Sequence, residues 1–177
     1  KLIEKVMYKH VDMGVFSEVY GRGDVGQRLV AEDIDLIMFT GSTRTGKALY
    51  EIAGEKFIRA VMEMGGSAPG IVFEDADIDS AVKSICAYRL ANAGQYCDGL
   101  KRLIVHRDYF HEVVGKLSEA FEAVKVGPAE NEDTELGPLA AKRQLDLLVG
   151  QVDDAKRKEG RIITGGNSLE HKFGGAF

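Results

Sequence analysis

Short apolar runs alternate with helix-like segments from one end of this chain to the other. The predicted strands are 16–20, 34–40, 57–64, 69–73, 103–106 and 161–164. The predicted helices are 1–10, 24–31, 44–53, 75–92, 109–123 and 140–159. Parallel strands need a crossover between them, so alternating strands and helices build a parallel sheet. The pattern therefore predicts an α/β fold with a largely parallel sheet.

Acidic residues mark the start of two predicted helices. Asp24 precedes one of them, and a cluster of aspartates at 75–79 precedes another. A carboxylate can accept hydrogen bonds from the free amides of a first helical turn and suits the positive end of the helix dipole. We therefore expect Asp24 to cap the helix that runs to Ala31.

The acidic charge balance limits the classes of partner. A formal net charge of −5 argues against nucleic acid or an anionic membrane, since both require a basic surface. The one basic run, Lys156-Arg157-Lys158, is interpreted as a solvated helix face. No apolar run approaches the ~20 residues of a membrane-spanning helix, and no signal peptide is visible. These observations favour a cytoplasmic protein.

Cysteine and histidine spacing predicts neither a disulfide framework nor a metal site. The two cysteines, Cys86 and Cys97, form no C-x-x-C motif, which favours a reducing compartment. The histidines show no helical i,i+4 pair and no acidic partner at ligand spacing. They are His10, His106, His111 and His171.

One thiol lies between two glycines in the stretch Gly94-Gln95-Tyr96-Cys97-Asp98-Gly99. Glycine permits tight turns and close approach of the backbone to a ligand, so Cys97 is in a position to be presented. The alternative is a small buried hydrophobic side chain, which is what most free cysteines are. From this stretch alone Cys97 is a candidate nucleophile and no more.

A strand, a glycine turn and a helix start follow one another at Phe39-Thr40-Gly41-Ser42. Free amides and the helix dipole at such a turn can bind a phosphate. The spacing from Gly41 to Gly46-Lys47 also approaches the P-loop of NTPases, but Ala48 replaces the Ser or Thr that holds magnesium. A turn that binds no ligand is a third interpretation.

Glu63 ends an apolar strand just before a pair of glycines. An ionised carboxylate resists burial, so an acid here requires an explanation. One is a structural ion pair at the strand end. The other is a general base whose pKa is raised by partial burial.

The three candidate groups, which are the glycine turn, the acid and the thiol, also carry information in their order and spacing along the chain. The turn Phe39-Thr40-Gly41-Ser42, the run Glu63-Met64-Gly65-Gly66-Ser67 and the run Gly94-Gln95-Tyr96-Cys97 follow one another along the chain. Together they resemble the NAD(P)-dependent aldehyde dehydrogenase superfamily, whose signatures are F-T-G-S, E-L-G-G-K and G-Q-x-C. Met64 and Ser67 depart from the second signature. The chain looks closer to members that oxidise small hydroxyaldehydes such as lactaldehyde or glyceraldehyde.

The resemblance implies a fold, a domain boundary and a chemistry. Residues 1–64 would be the end of a Rossmann-type dinucleotide-binding domain, and residues 65–177 the first part of an α/β catalytic domain. Cys97 would attack the aldehyde carbon, with its own backbone amide among the donors to the oxyanion. Glu63 would activate the water that hydrolyses the resulting thioester.

The resemblance also implies a cofactor site and an assembly. Gly41, Ser42, Met64 and Gly65 would contact NAD or NADP. Family members are far longer, so we expect a fragment with little activity alone. Unpaired strand edges and exposed apolar surface in such a fragment favour a homo-oligomer. The competing hypothesis is a non-catalytic nucleotide-binding or interaction module that keeps the fold but not the reaction.

Overall fold

Two pairs of parallel strands form the framework of this chain, one in each of the two units into which it divides. The computed structural model describes all of residues 1–177. The first unit is Lys1–Met64 and the second is Gly65–Phe177. The division falls at the boundary expected from the sequence, while the assignment of the units to cofactor and catalytic domains stays a prediction.

The first unit is a parallel strand pair joined by one helix. Its elements are α1 (Leu2–Met7), α2 (Gly23–Ala31), β1 (Leu36–Gly41), α3 (Thr43–Lys56) and β2 (Arg59–Met64). Strand β1 pairs with β2 in parallel, from Leu36 opposite Arg59 to Gly41 opposite Met64. The crossover helix α3 ends at Phe57, which adopts a left-handed conformation with φ of 54°.

The two faces of this strand pair differ in what covers them. Ile37 of β1 and Ala53 of α3 are buried. On the opposite face Leu36, Met38 and Val61 are exposed. Successive strand residues point to opposite faces of a sheet, so α3 covers one face and leaves the other open.

The second unit repeats the strand–helix–strand arrangement and adds further helices. Its elements are β3 (Ala68–Val72), α4 (Ile78–Leu90), β4 (Leu100–Val105), α5 (Phe110–Glu122), α6 (Lys142–Arg157) and α7 (Glu170–Phe173). Short 3₁₀ helices at Ala91–Gly94 and Arg107–Tyr109 lie on either side of β4. Strand β3 pairs with β4 in parallel, with a register irregularity between Ala68 and Pro69.

The core of the second unit lies among its strands and the two helices α4 and α5. Its buried members are Val72, Ile78, Val82, Ile85 and Val113. Val113 is the most deeply buried, with 1% of its surface exposed. The start of α4 is fixed by Asp77, whose carboxylate accepts a hydrogen bond from the Ser80 amide at 3.0 Å. The acidic helix start predicted at 75–79 is confirmed.

The α/β class and the parallel pairing are confirmed, but two predicted strands are wrong. Residues 16–20 and 161–164 form no strand and pair with nothing in this structure. The strands that do form make two separate pairs and no single larger sheet. A strand exists only through hydrogen bonds to a neighbour, which a local apolar run cannot supply.

Two helix ends also differ from the prediction. Helix α2 begins at Gly23 with Arg22 as its N-cap, so Asp24 lies inside the first turn and is not the cap. Helix α4 ends at Leu90, and the expected continuation to Asn92 is a 3₁₀ segment in which Asn92 has φ of 50°. The change from a right-handed to a left-handed backbone conformation ends the helix.

Candidate active site

The carboxyl ends of β1 and β2 bring four of the predicted site residues side by side. In the register of this pair Thr40 lies opposite Glu63, and Gly41 lies opposite Met64. Ser42 follows directly. Ligands of α/β sheets bind beyond the carboxyl ends of parallel strands. The first unit therefore gathers Gly41, Ser42, Glu63 and Met64 at the end of the sheet where a ligand is expected.

The N-terminus of α3 has the features of an anion site. Ser42 is the N-cap, and its Oγ accepts a hydrogen bond from the Thr45 amide at 3.2 Å. The Gly46 amide donates to the Ser42 carbonyl at 2.9 Å. The first-turn amides of Thr43 and Arg44 have no such partner, and no acidic residue occupies that turn. Free amides at the positive end of a 14-residue helix attract a phosphate.

The P-loop interpretation is wrong. In a P-loop the residues between the first glycine and the Gly-Lys pair form a loop that wraps around the phosphates. Here the helix already begins at Thr43, so the segment from Thr43 to Lys47 is helical. No loop remains that could surround a triphosphate.

Packing explains why two positions of this unit are glycine. A Cβ on Gly46 would meet the sulfur of Met64, so the Met64 side chain lies against α3. A Cβ on Gly41 would meet the ring of Phe39. The Met64 side chain is therefore used in packing between helix and sheet, which leaves its backbone groups for a ligand.

Glu63 lies on the face of β2 opposite Met64 and is exposed. It makes no ion pair within its unit. The partial burial expected from the sequence is therefore absent from this structure, and the structural ion pair has no partner within the unit. An exposed carboxylate at the end of a strand is accessible to water and to a substrate.

Cys97 lies in the second unit, in a turn between the 3₁₀ segment Ala91–Gly94 and β4. Its side chain is exposed. The turn is closed by the Gly99 amide, which donates to the Tyr96 carbonyl at 3.3 Å. The Cys97 amide itself donates to no residue of this unit. The thiol and the N–H of the same residue are thus both available.

The backbone just before the thiol has an unusual conformation. Three consecutive residues are left-handed, with φ of 50° at Asn92, 54° at Ala93 and 71° at Gly94. Only Gly adopts this conformation without cost, and Ala does so rarely. The Arg89 guanidinium lies where a Cβ on Gly94 would be, and its Nη1 donates to the Leu100 carbonyl at 3.3 Å. Residues outside the turn therefore hold it in place.

The loop after β2 packs closely against the Cys97 turn. A Cβ on Gly66 would lie 2.7 Å from the carbonyl oxygen of Cys97. Lys101 Nζ donates to the Gly66 carbonyl, and Arg102 Nε donates to the Ser67 carbonyl at 3.1 Å. Two side chains from β4 thus hold this loop at the place where its glycine approaches Cys97.

The sequence alone predicts no role for Gly66, Lys101 or Arg102. Gly66 is part of the glycine pair that follows Glu63, which is a signal for close backbone approach. Nothing in the spacing of Lys101 and Arg102 indicates that they bind backbone carbonyls 35 residues earlier in the chain. Among the predicted residues, Gly65 and Cys97 belong to this second unit and the other four to the first.

The remaining chemistry-bearing groups form no further centre. Burial raises the pKa of the Cys86 thiol, which packs against the core of the second unit. No three His, Cys, Asp or Glu side chains are grouped as metal ligands would be. None of the helices combines the length and the apolar character needed to cross a membrane.

Comparisons by sequence profile, by single relatives and by solved structures all match the same family. The sequence profile of the aldehyde dehydrogenase family matches residues 1–177. The alpha-aminoadipic semialdehyde dehydrogenase of Mus musculus is 32% identical over 173 residues, which cover 97% of this chain and 32% of that protein.

Two solved structures extend the match to the fold. A lactaldehyde dehydrogenase structure superposes with a TM-score of 0.83 at 36% identity, covering 89% of this chain and 34% of that one. The NAD+ complex of an aldehyde dehydrogenase from Bacillus cereus gives 0.79 at 35% identity, covering 86% and 32%. The chain thus spans about a third of the length of the relatives that it matches.

Proposed function

Because this chain belongs to the aldehyde dehydrogenase family, we propose that it forms part of an enzyme that oxidises an aldehyde to a carboxylic acid with NAD+ or NADP+. The observation that carries the proposal is Cys97. Its thiol is exposed and its own amide is free of partners in its unit. A nucleophile and an oxyanion donor on one residue suit attack on a carbonyl carbon.

In the proposed reaction the Cys97 thiolate forms a C–S bond to the aldehyde carbon. The carbonyl oxygen takes the electron pair, and the Cys97 amide donates a hydrogen bond to it. When bound, the nicotinamide cofactor supplies a two-electron acceptor for the hydride on that carbon. Loss of the hydride leaves an acyl group on Cys97 as a thioester.

Glu63 is proposed as the general base for the second half of the reaction. Its carboxylate takes a proton from water, and the hydroxide attacks the thioester carbon. The C–S bond breaks, the carboxylic acid leaves and the Cys97 thiolate is restored. The exposure of Glu63 at the end of β2 supports this role, because the carboxylate is open to water.

The cofactor is proposed to bind at the end of the first unit that carries the start of α3. The free amides of Thr43 and Arg44 suit a pyrophosphate, and the Ser42 hydroxyl, which shares a hydrogen bond with the Thr45 hydroxyl at 3.0 Å, is proposed as a further contact. Gly41, the Met64 backbone and Gly65 are proposed as further contacts. The relative from Bacillus cereus forms a complex with NAD+, which supports a nicotinamide dinucleotide here.

The proposed substrate is a small aldehyde, and the similarity to a lactaldehyde dehydrogenase favours a hydroxyaldehyde. We propose a cytoplasmic location, which the free state of both cysteines supports. The exposed apolar residues Leu36, Met38 and Val61 support association into a homo-oligomer. A monomer in light scattering would contradict that association.

The central experiment compares variants in the full polypeptide that contains these 177 residues, by aldehyde-dependent reduction of NAD+ and of NADP+. Cys97→Ser is expected to lower turnover by at least ~10³-fold, because it removes the nucleophile. Glu63→Gln is expected to lower it by roughly 10²–10⁴-fold and to leave acylated Cys97 visible by mass spectrometry. Cys86→Ala is the matched control and should retain activity.

Turnover that survives Cys97→Ser would contradict the proposal and favour a non-catalytic module. A Glu63→Gln variant that accumulates no acyl adduct would exclude Glu63 as the hydrolytic base. Residues 1–177 alone are proposed to have little or no activity, which the coverage of about a third of each relative supports. The same assay on the 177-residue chain tests this.

A further inference from the structure

Gln95 connects two separate segments of the second unit through both ends of its side-chain amide. Its Oε1 accepts a hydrogen bond from the Ala140 amide at 2.9 Å. Its Nε2 donates to the Asn92 carbonyl at 3.0 Å. The reversed amide would place donor against donor and acceptor against acceptor, so only one orientation satisfies both contacts.

One of these contacts supports strained backbone. The Asn92 carbonyl belongs to the left-handed run Asn92–Gly94, and it accepts from the Gln95 backbone amide at 3.1 Å as well as from the Gln95 side chain. Left-handed residues other than glycine persist only where their surroundings enforce them. Gln95 therefore helps to enforce the conformation from which the chain enters the Cys97 turn.

The other contact anchors that turn to the body of the unit. Ala140 lies next to Ala141, the N-cap of α6, and Leu145 of that helix is buried. The neighbouring Leu139 amide donates to the Ala176 carbonyl at 3.0 Å, so this segment is itself held at a second point. Gln95 thus ties a strained turn to a fixed segment 45 residues later in the chain.

We propose that Gln95 is a positioning residue that sets the orientation of the Cys97 thiol and amide. Only Tyr96 separates the two residues, so a shift of the Gln95 backbone is passed directly to the Cys97 N–H. The inference rests on the proposed function, because the proposed reaction forms the oxyanion to which the Cys97 N–H would donate a hydrogen bond. Donors of this kind act only when they already point at the developing charge.

The test replaces the amide while keeping the volume of the side chain. Gln95→Met removes both hydrogen bonds, whereas Gln95→Glu keeps the acceptor for Ala140 but places a carboxylate oxygen against the Asn92 carbonyl. We expect kcat to fall about ten-fold or more in both variants, with the cofactor KM within about two-fold. Gln151→Met, on the exposed surface of α6, is the matched control and should leave kcat unchanged.

The experiment uses the full polypeptide that contains these residues, with kcat corrected for the fraction of folded protein by thermal unfolding. Hydrogen exchange supplies a second readout, because the Ala140 amide should exchange faster in Gln95→Met and be protected in Gln95→Glu. An unchanged kcat in Gln95→Met would overturn the inference. So would a loss that disappears after correction for unfolded protein.

The two proposals fail in distinguishable ways. Wild-type turnover that depends on Cys97 but not on Gln95 removes only the positioning role. If wild-type turnover is absent, or survives Cys97→Ser, the proposed function fails and the role of Gln95 fails with it. A loss of kcat in both Gln95→Glu and Gln95→Met at constant cofactor KM supports both proposals.

Discussion

Gly66→Ala adds one methyl group at the closest approach between the loop after β2 and the Cys97 turn. The new Cβ would lie 2.7 Å from the Cys97 carbonyl oxygen, where even an unusually tight contact needs 3.0 Å and an ordinary one 3.4 Å. The two segments must therefore separate by about 0.3–0.7 Å. The atom in the way is backbone, so no side-chain rotation can relieve the clash.

The loop after β2 cannot move away from the Cys97 turn without weakening hydrogen bonds. Lys101 and Arg102 hold the carbonyls of Gly66 and Ser67, so a retreat of the loop weakens two charge-assisted hydrogen bonds. Part of the displacement must then fall on Cys97. A misplacement of about 1 Å at a reacting group can cost 10²-fold in rate, so about half of that is expected to lower kcat on the order of ten-fold.

The assay is steady-state turnover in the full polypeptide at saturating aldehyde and cofactor, with thermal unfolding measured alongside. Gly115→Ala is the control, since it adds the same methyl group to the exposed side of α5, where no atom lies within 4 Å. We expect Gly115→Ala to retain kcat. Full kcat in Gly66→Ala would contradict this expectation, because it would mean that the Cys97 backbone tolerates the displacement or does not take part in the reaction.

Two further predictions concern stability. Ala93→Gly should raise the unfolding free energy by up to ~1 kcal/mol in urea titrations, because release of left-handed strain exceeds the entropic cost of glycine. Ala91→Gly, at φ of −50°, should lower it instead, and a fall in both variants would contradict this account. Asp77→Ala should lower the Tm at pH 7, and the difference from wild type should shrink as pH falls below the usual carboxyl pKa near 3.8. The Ser80 amide lowers the pKa of Asp77 in the fold, so its contribution is present above that range and is lost on protonation; a difference independent of pH would contradict it.

The sequence predicted those turns and helix starts that depend only on a few adjacent residues. The glycine turn at Gly41 and the acidic start at Asp77 lie where a strand ends and a helix begins, because caps and turns depend on a few adjacent residues. The predicted strands at 16–20 and 161–164 failed because an extended run needs a partner that its own composition does not provide. The cap predicted at Asp24 was wrong by two positions, since Arg22 is the N-cap and α2 begins at Gly23.

The contacts that hold the turn around the candidate nucleophile Cys97 could not be predicted from the sequence in the same way. Gln95 meets Ala140, and Lys101 meets Gly66, across 45 and 35 residues of chain. Each contact joins a side chain to a backbone group, and any residue can offer a backbone carbonyl or amide. No pattern of residue types therefore marks the partner, and only the fold reveals which segment comes close.

The two free cysteines lie in different environments, and the sequence alone does not show which of them is packed and which is exposed. Cys86 packs on the core from α4, and burial raises the pKa of its thiol above the usual 9.0, which keeps it protonated and unreactive at neutral pH. Cys97 is exposed in a turn that is supported by Arg89, by Gln95 and by the loop after β2. Cys86 is thus a partly buried side chain used in packing, close to the usual description of a free cysteine. A thiol that is open to solvent on a backbone supported by these contacts suits the proposed role of nucleophile, and Cys97 is the one cysteine of this chain in that position.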